Sequence, residues 1–340
     1  MCPSDSPADD VERLADHPLA EVFHRLTPEA VLSAVEAGGR RCTGRFLILN
    51  SFENRVWQLE LDDESMVVGK FYRPGRWSKE TILEEHRFLR ELAGEDIPVA
   101  CPIELEPGRT LGEVNGIRYA LFPRVGGRSE QELSDENVRI LGHLLARIHN
   151  VGARREAPHR LRLDPETYGK RNLEILLSID ALPAEVRDIY AATVETLLAR
   201  IRPLFLDIPV HRIHGDCHLN NLIWTPRGPT FLDFDDMLTG PAAQDVWLLA
   251  PSFDAEGQRQ RRLLCEAYAE LRDFSPAWLR LVEPLRALRF IHYSTWIARR
   301  IADPIFRHTF SHFGTLQYWQ REVQDLREQI ARIDAGEAWS

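Results

Sequence analysis

Apolar and polar residues alternate with different periods in the two parts of the chain. In residues 44–72, short apolar runs separated by polar turns predict three consecutive strands of an antiparallel sheet. A further hairpin is predicted in residues 110–122, with its turn at Asn115-Gly116. From Ser134 onward, apolar residues recur every three or four positions, which predicts a mainly helical remainder.

The change from strands to helices falls at a segment that contains proline and glycine, Pro123–Arg128. We therefore expect an α+β protein with two lobes, an antiparallel sheet plus a helix in the first and mainly helices in the second. The predicted parts are an N-terminal extension (residues 1–26), an N-lobe (27–122), a hinge (123–128) and a helical C-lobe (129–340).

The most informative stretch is Ile213–Trp224 with Thr230–Asp236 after it. Apolar residues at 222–224 and 231–232 predict a hairpin, and polar residues lie in the loops on either side of it. Carboxylates that meet in one place are costly unless a cation lies among them. Magnesium with a nucleotide phosphate suits such loops, since it needs only one or two protein carboxylates. The polar residues expected at one cleft are Asp216, Asn221, Asp233 and Asp235.

The spacing within this stretch indicates phosphoryl transfer. Asn221 follows Asp216 by five residues, as in phosphotransferases whose aspartate accepts the proton of a substrate hydroxyl and whose asparagine binds magnesium. Asp233 then stands where those enzymes carry a second, metal-binding aspartate. For Asp235, binding of a second metal and shaping of the loop both remain open.

Lys70 is an ammonium group inside an apolar strand, where it needs an anionic partner. The following helix, residues 78–92, offers Glu85, because Leu89 and Leu92 place that face inward; Glu84 is the alternative. A lysine paired in this way holds the α- and β-phosphates of a nucleotide. The competing interpretation is a lysine at the end of a strand that reaches solvent.

Composition and charge exclude several classes of protein. The 340 residues are 44% hydrophobic and 28% charged, as in ordinary globular proteins. A net charge of -10 argues against nucleic-acid or anionic-membrane partners, and no apolar run is long enough for a transmembrane helix. The N-terminus has no secretory signal pattern, and five scattered cysteines indicate reduced thiols. We expect a cytoplasmic monomer.

Three other residues carry smaller expectations. We expect Asp245 to brace the backbone of the loop at His214, although an acid in the first turn of a helix is the plain alternative. We expect His149 to be a hydrogen-bonded structural residue. Cys217 is expected to be a small residue packed under the loop, with a redox-sensitive thiol as the alternative.

Several strings of this sequence resemble the aminoglycoside-phosphotransferase-like kinases, and closely the bacterial stress response kinase A family. The resemblance implies a two-lobed, protein-kinase-like fold and a cytoplasmic, ATP- and magnesium-dependent kinase. It further implies that serine and threonine hydroxyls of proteins, its own included, are phosphorylated, and that the enzyme protects cells under stress. The strings that carry it are residues 50–56, 68–77, 82–86, 122–128, 214–218 and 240–247.

The resemblance also implies roles for individual residues. Asp216 would be the catalytic base, and Asn221 and Asp233 would bind magnesium. Lys70 would hold the phosphates, and Ser51, at the tip of the first hairpin, would lie against ATP. The hinge would line the adenine slot through the backbone of Phe122 to Val125.

This sequence differs from those of ordinary protein kinases in a way that bears on regulation. Gly215 stands where they carry an arginine, and only eleven residues separate Asp233 from Asp245, too few for a long activation loop. We therefore predict that phosphorylation of this segment does not switch activity. Phosphosite mapping with activity measured before and after phosphatase treatment tests this, and a large loss tied to a site in residues 234–244 contradicts it.

Three other functions compete with a protein kinase. The first is a small-molecule kinase of the same fold, acting on an amino alcohol, a sugar or an antibiotic. The second is a metal-dependent hydrolase, which leaves Lys70, Glu85 and Asn221 unexplained. The third is a nucleotide-binding module without catalysis. The hydrolase would use His211, His214 and His218 with Asp233 or Asp235 as metal ligands.

Overall fold

The computed structural model describes residues 23–336, and they form two compact units. The first unit holds residues 23–129 with Leu222–Asp235, and the second holds Glu130–Asn221 with residues 236–336. Most of the predicted N-terminal extension (residues 1–26) and the last four residues of the predicted C-lobe lie outside the described residues. The lobe boundaries stay predictions.

The first unit is built on a five-stranded sheet whose paired strands are all antiparallel. Its strands lie in the order β1-β2-β3-β5-β4. Helix α1 begins after Thr27 and helix α2 after Ser78, because the hydroxyl of each residue accepts a hydrogen bond from a backbone N–H of the first turn. The elements are α1 (Pro28–Glu36), β1 (Cys42–Leu49), β2 (Arg55–Leu61), β3 (Met66–Phe71), α2 (Lys79–Gly94), β4 (Gly112–Val114) and β5 (Ile117–Pro123).

The two faces of β3 serve different purposes. Val67 and Phe71 belong to the buried core that also contains residues of α1. Lys70 pairs in register with Val56 and Ala120 and points to the opposite face, toward α2. Gly69 leaves room for the core, because an added Cβ there would lie 3.1 Å from the ring of Phe71.

A second hairpin completes the first unit. Strands β7 (Leu222–Thr225) and β8 (Gly228–Phe231) pair antiparallel, as the apolar pattern predicts. The N–H of Phe231 donates to the carbonyl of Pro98 at 2.9 Å, and the N–H of Trp224 donates to the carbonyl of Arg128 at 2.8 Å. Only glycine fits at Gly127, because a Cβ would lie 2.2 Å from the carbonyl oxygen of Trp224.

The second unit is mainly helical. One of its buried cores joins α4, α5, α8 and α10 around Tyr190, Ile291 and Trp319. Strand β6 (Val210–Ile213) pairs antiparallel with β9 (Leu238–Pro241) and holds the loop that follows Ile213. The helices are α3 (Asp135–Gly152), a π-helix (Pro165–Lys170), α4 (Arg171–Ser178), α5 (Ala184–Ile201), α6 (Ala243–Leu249), α7 (Ala255–Ala269), α8 (Val282–Ala298), α9 (Pro304–Thr309) and α10 (Leu316–Ala335).

An N-terminal antiparallel sheet followed by a helical remainder is the predicted fold class. Within residues 23–336, no helix is both long enough and apolar enough to cross a membrane.

Candidate active site

In the first unit, the ammonium group of Lys70 lies among three carboxylates. Its Nζ is 2.8 Å from Asp233 Oδ1, 3.3 Å from Asp235 Oδ1 and 3.7 Å from Glu85 Oε1. Burial alone would lower the pKa of Lys70, but the three carboxylates outweigh it and hold this pKa well above its ordinary value. The predicted pairing of Lys70 with Glu85 is therefore present, and the lysine is charged.

Asp235 ties the turn between β1 and β2 to this site. Its carboxylate accepts a hydrogen bond from Asn54 Nδ2 at 3.1 Å and forms an ion pair with Arg76. The Oδ1 of Asn54 in turn accepts a hydrogen bond from the N–H of Arg73 at 3.1 Å. In this structure, Asp235 therefore shapes the loop. Ser51 lies half-buried in the same turn.

Asp233 combines exposure with an unusual backbone conformation. Its side chain is 55% exposed and reaches Lys70 through one oxygen. Its φ of 56° lies in the left-handed region, which asparagine and aspartate tolerate better than most residues. Such backbone conformations cluster at functional sites.

Asn221 is positioned by the backbone of the loop that carries Asp216, in the second unit. Its Nδ2 donates a hydrogen bond to the carbonyl oxygen of Asp216 at 3.0 Å. The Oδ1 of the same amide takes no part in this hydrogen bond. An amide oxygen and a carboxylate oxygen are ligands that magnesium accepts, and Asn221 and Asp233 each supply one. Each residue taken by itself thus offers a donor that suits magnesium, and a site formed by the two stays a prediction. Within residues 23–336, no group of three or more His, Cys, Asp or Glu side chains is arranged to hold a metal.

Two basic side chains contact the carboxylate of Asp216. Arg289 Nη2 donates to its Oδ1 at 2.8 Å, and His218 Nε2 lies 3.3 Å from its Oδ2. Burial would raise the pKa of Asp216, but the hydrogen bond from His218 and the charge of Arg289 outweigh it and hold this pKa below its ordinary range. The carboxylate is thus ionised at neutral pH.

The backbone of the loop before Asp216 is held by Asp245. One oxygen of this fully buried carboxylate accepts from the N–H of His214, and the other accepts from the N–H of Gly215, both at 2.9 Å. Only glycine fits at Gly215, because its φ is 84° and a Cβ would lie 2.3 Å from the carbonyl oxygen of Asp236. The predicted brace is confirmed.

His149 and Cys217 support the loop from beneath. His149 is buried between Asp245, 3.1 Å from its Nε2, and the hydroxyl of Tyr268, 2.8 Å from its Nδ1, so it is the hydrogen-bonded structural residue that the sequence predicts. Burial raises the pKa of the Cys217 thiol well above its ordinary value. A buried, protonated thiol is not a reactive one, and the packing interpretation of Cys217 is correct.

Replacing Asp245 by alanine is expected to lower the free energy of unfolding by about 3–5 kcal/mol, because two backbone N–H groups and His149 lose a buried charged partner. Urea denaturation measures this, with the exposed Asp188→Ala as the matched control. A loss below about 1 kcal/mol would show that the brace adds little.

Acidification is expected to destabilise the fold through His211, whose ring packs on His149 with 4.7 Å between centroids. Burial lowers the pKa of His211 from 6.5 to about 2, so below pH 6.5 the unfolded chain binds a proton that the folded chain does not. Stability from this group is therefore present above pH 6.5 and is lost as the pH falls, by about 2 kcal/mol at pH 5. Urea denaturation at pH 7 and pH 5 measures the loss, and His211→Phe should reduce it. Equal losses in both proteins would exclude His211 as the cause.

The remaining predicted residues are Phe122 and Val125. Phe122 is buried near the end of β5, where it pairs with Val68, and Val125 is half-buried in the irregular segment after that strand. The roles of all the predicted site residues stay predictions. The sequence did not predict that Asn54 and Arg76 contact Asp235, or that Arg289 contacts Asp216, because these partners are distant in the chain.

A buried lysine of an antiparallel sheet that pairs with a glutamate of the following helix, together with a braced, aspartate-bearing loop in a helical unit, is the arrangement of kinase-like phosphotransferases. The chain belongs to the phosphotransferase enzyme family (APH), which matches residues 47–282. It is an enzyme that transfers phosphoryl groups.

Curated relatives confirm the resemblance to stress response kinase A. The protein of that name from Salmonella choleraesuis (strain SC-B67) is 36% identical over 91% of this chain and 94% of its own length. The protein named serine/threonine protein kinase RdoA from Salmonella typhimurium (strain LT2) shows the same identity and coverage. Stress response kinase A from Escherichia coli (strain K12) is 35% identical over the same shares.

Solved structures confirm the fold. Amicoumacin kinase hAmiN, in complex with AMP-PNP, Ca²⁺ and Ami, superposes with a TM-score of 0.70 at 17% identity, covering 98% of this chain and 97% of its own. A microcompartment-associated aminopropanol kinase gives a TM-score of 0.65 at 18% identity, covering 90% of this chain and 98% of its own.

Proposed function

We propose that the protein is an ATP- and magnesium-dependent serine/threonine kinase that phosphorylates protein hydroxyls, its own included, and that it acts in the cytoplasm during stress. The proposal that the protein binds ATP rests on one observation, the buried and charged Lys70 between Glu85 and Asp233. The names of the curated relatives support the protein substrate and the stress response.

In the proposed reaction, the oxygen of the acceptor hydroxyl attacks the γ-phosphorus of ATP. The new O–P bond forms as the bond from that phosphorus to the β,γ-bridging oxygen breaks, and ADP leaves. Asp216, whose carboxylate is ionised, orients the hydroxyl and accepts its proton. Catalysis by the protein is mainly positioning and charge.

The nucleotide is held by residues of the first unit. Lys70, fixed by Glu85, binds the α- and β-phosphates, Ser51 lies against ATP, and the backbone of Phe122 to Val125 lines the adenine. Asn221 and Asp233 are the residues that would hold magnesium. The metal, when bound, neutralises charge on the phosphates.

Asn54 and Arg76, which the sequence did not predict as site residues, also have a role in this proposal. Both contact the buried carboxylate of Asp235, which also lies 3.3 Å from Lys70 Nζ. They would fix the turn that carries Ser51 at one end of the phosphate site. In this proposal, Asp235 is a positioning residue, and its carboxylate is occupied by protein cations.

Transfer of radiolabel from γ-labelled ATP tests the proposal. Myelin basic protein and the enzyme itself are compared as acceptors with amino alcohols, sugars and an aminoglycoside. Labelling of protein in the wild type, and its absence in Asp216→Ala, supports the proposal. Labelling of a small molecule alone would favour the small-molecule kinase, and absence of any magnesium-dependent labelling would exclude both.

A further inference from the structure

A buried imidazole lies directly beside Glu85 in the first unit. His86 follows Glu85 on α2 and is fully buried. Its Nε2 lies 3.0 Å from the hydroxyl of Tyr72, and its Nδ1 lies 2.8 Å from the hydroxyl of Thr110. Each hydroxyl can donate or accept, so both nitrogens are satisfied in either neutral tautomer. His86 thus joins three segments: the end of β3, helix α2 and the residues just before β4.

Tyr72 extends this connection to Lys70. It follows Lys70 by two residues, and its N–H continues the pairing of β3 with β5 by donating to the carbonyl of Arg118 at 2.9 Å. The two side chains therefore lie on the same side of the sheet. Lys70 Nζ lies 5.4 Å from the centroid of the Tyr72 ring. The ammonium group thus contacts an aromatic ring in addition to its three carboxylates, and that ring is held by His86.

The side chains that make this connection are shielded from solvent. Tyr72 is 2% exposed, and Thr110 is 1% exposed. The rings of His86 and Phe122 pack at an angle of 85°, with 6.2 Å between their centroids. Polar groups buried to this degree are costly when a partner is missing, so the two hydrogen bonds of His86 favour one orientation of the Tyr72 ring.

A purely structural role is the alternative, and the same sheet contains a tyrosine that has one. Tyr119 on β5 is 4% exposed, and its hydroxyl donates to the carbonyl oxygen of Ala34 on α1 at 2.7 Å. Its ring stacks on Phe71 in the core on the other side of the sheet. Tyr72 makes a comparable buried hydrogen bond, but it also contacts Lys70.

We propose that Tyr72 and His86 are positioning residues for nucleotide binding, because their hydrogen bond keeps Lys70 and Glu85 in the geometry that receives the phosphates. A lysine that is already held when ATP arrives loses less side-chain freedom on binding than one that samples several rotamers. Both residues act through Lys70 and Glu85. This inference rests on the proposed function, in which Lys70 binds the α- and β-phosphates, and it specifies what fixes that lysine.

Titration calorimetry with AMP-PNP and magnesium tests the proposal. Tyr72→Phe removes one hydroxyl and keeps the ring, and it should weaken AMP-PNP binding by about three- to tenfold, the value of one neutral hydrogen bond. Adenosine, which has no phosphates, should bind this variant as it binds the wild type. Tyr119→Phe is the matched control: its urea midpoint should fall by a similar amount, but its affinity for AMP-PNP should not change.

A double-variant cycle shows whether the effect passes through the Lys70–Glu85 pair. Glu85→Gln should itself weaken AMP-PNP binding, because Lys70 loses one of its three negative partners. Adding Tyr72→Phe should then change the affinity by less than about twofold, because the geometry that the hydrogen bond maintains is already lost. Independent contributions would multiply instead.

His86→Phe is the second variant and breaks the same hydrogen bond from its other end. Its ring can still pack against Phe122, but the hydroxyls of Tyr72 and Thr110 both lose a partner. It should therefore weaken AMP-PNP binding by at least as much as Tyr72→Phe.

The possible failures are distinguishable. If Tyr72→Phe bound AMP-PNP as the wild type does, or if Tyr119→Phe weakened binding equally, the connection would be purely structural; the inference would be wrong and the kinase function would stand. An equal loss of affinity for adenosine, or effects that multiply with Glu85→Gln, would also overturn it. Absence of AMP-PNP binding by the wild type would instead defeat the proposed function, and the inference with it.

Discussion

Replacing Asp216 by asparagine is expected to reduce kcat for phosphoryl transfer by about 10²–10⁴-fold, the usual contribution of a general base. The carboxamide cannot take the proton of the acceptor hydroxyl. Its Oδ1 can still accept the hydrogen bond that Arg289 donates, so the loop should keep its conformation. Initial rates at saturating ATP and acceptor measure the loss, and KM for ATP should change little.

The control for this variant is Asp188→Asn, which makes the same change at an exposed site on α5. It should retain wild-type kcat. Circular dichroism and the urea midpoint of Asp216→Asn should match those of the wild type, which separates lost chemistry from lost structure. A kcat within a few-fold of the wild type would show that the proton goes to another group.

Replacing Asp233 by asparagine is expected to reduce magnesium-dependent turnover by about 10²–10³-fold, a loss typical of one removed electrostatic stabiliser. Asparagine adopts the left-handed backbone conformation of this position, so the main change is the lost negative charge. Lys70 also loses its nearest carboxylate, at 2.8 Å. Rates measured over a range of magnesium concentrations should show that the requirement for the metal has risen.

Asp207→Asn is the matched control for Asp233. Asp207 is also an exposed aspartate with a left-handed backbone, at a φ of 59°. Its replacement should leave turnover and its dependence on magnesium unchanged. If Asp233→Asn responded to magnesium as the wild type does, the proposed metal role of Asp233 would be wrong.

The sequence predicted those parts of the fold and site that depend on local periodicity. Alternation of apolar residues places Lys70 inside β3, and helical spacing after Glu85 places that carboxylate inward, so their contact follows from two short segments. The brace by Asp245 was predicted from an acidic residue in the first turn of α6, although it lies 31 residues after His214.

Contacts between distant segments could not be predicted from the sequence. Arg289 is 73 residues from Asp216, and Asn54 is 181 residues from Asp235. Nothing in the local pattern around Arg289 distinguishes it from Arg286, the other arginine of α8. The attachment of the β7–β8 hairpin to residues 98–128 is likewise made by backbone hydrogen bonds, which leave almost no signal in the side-chain pattern.

Most of the segment between Asp233 and Asp245 has regular secondary structure. A short 3-10 turn at Phe234–Asp236 leads directly into β9, which is paired along its length with β6, and α6 begins at Ala243. This segment therefore has little backbone free to rearrange, and an input that changes the output of this enzyme is expected to act on another part of the chain or on the amount of protein.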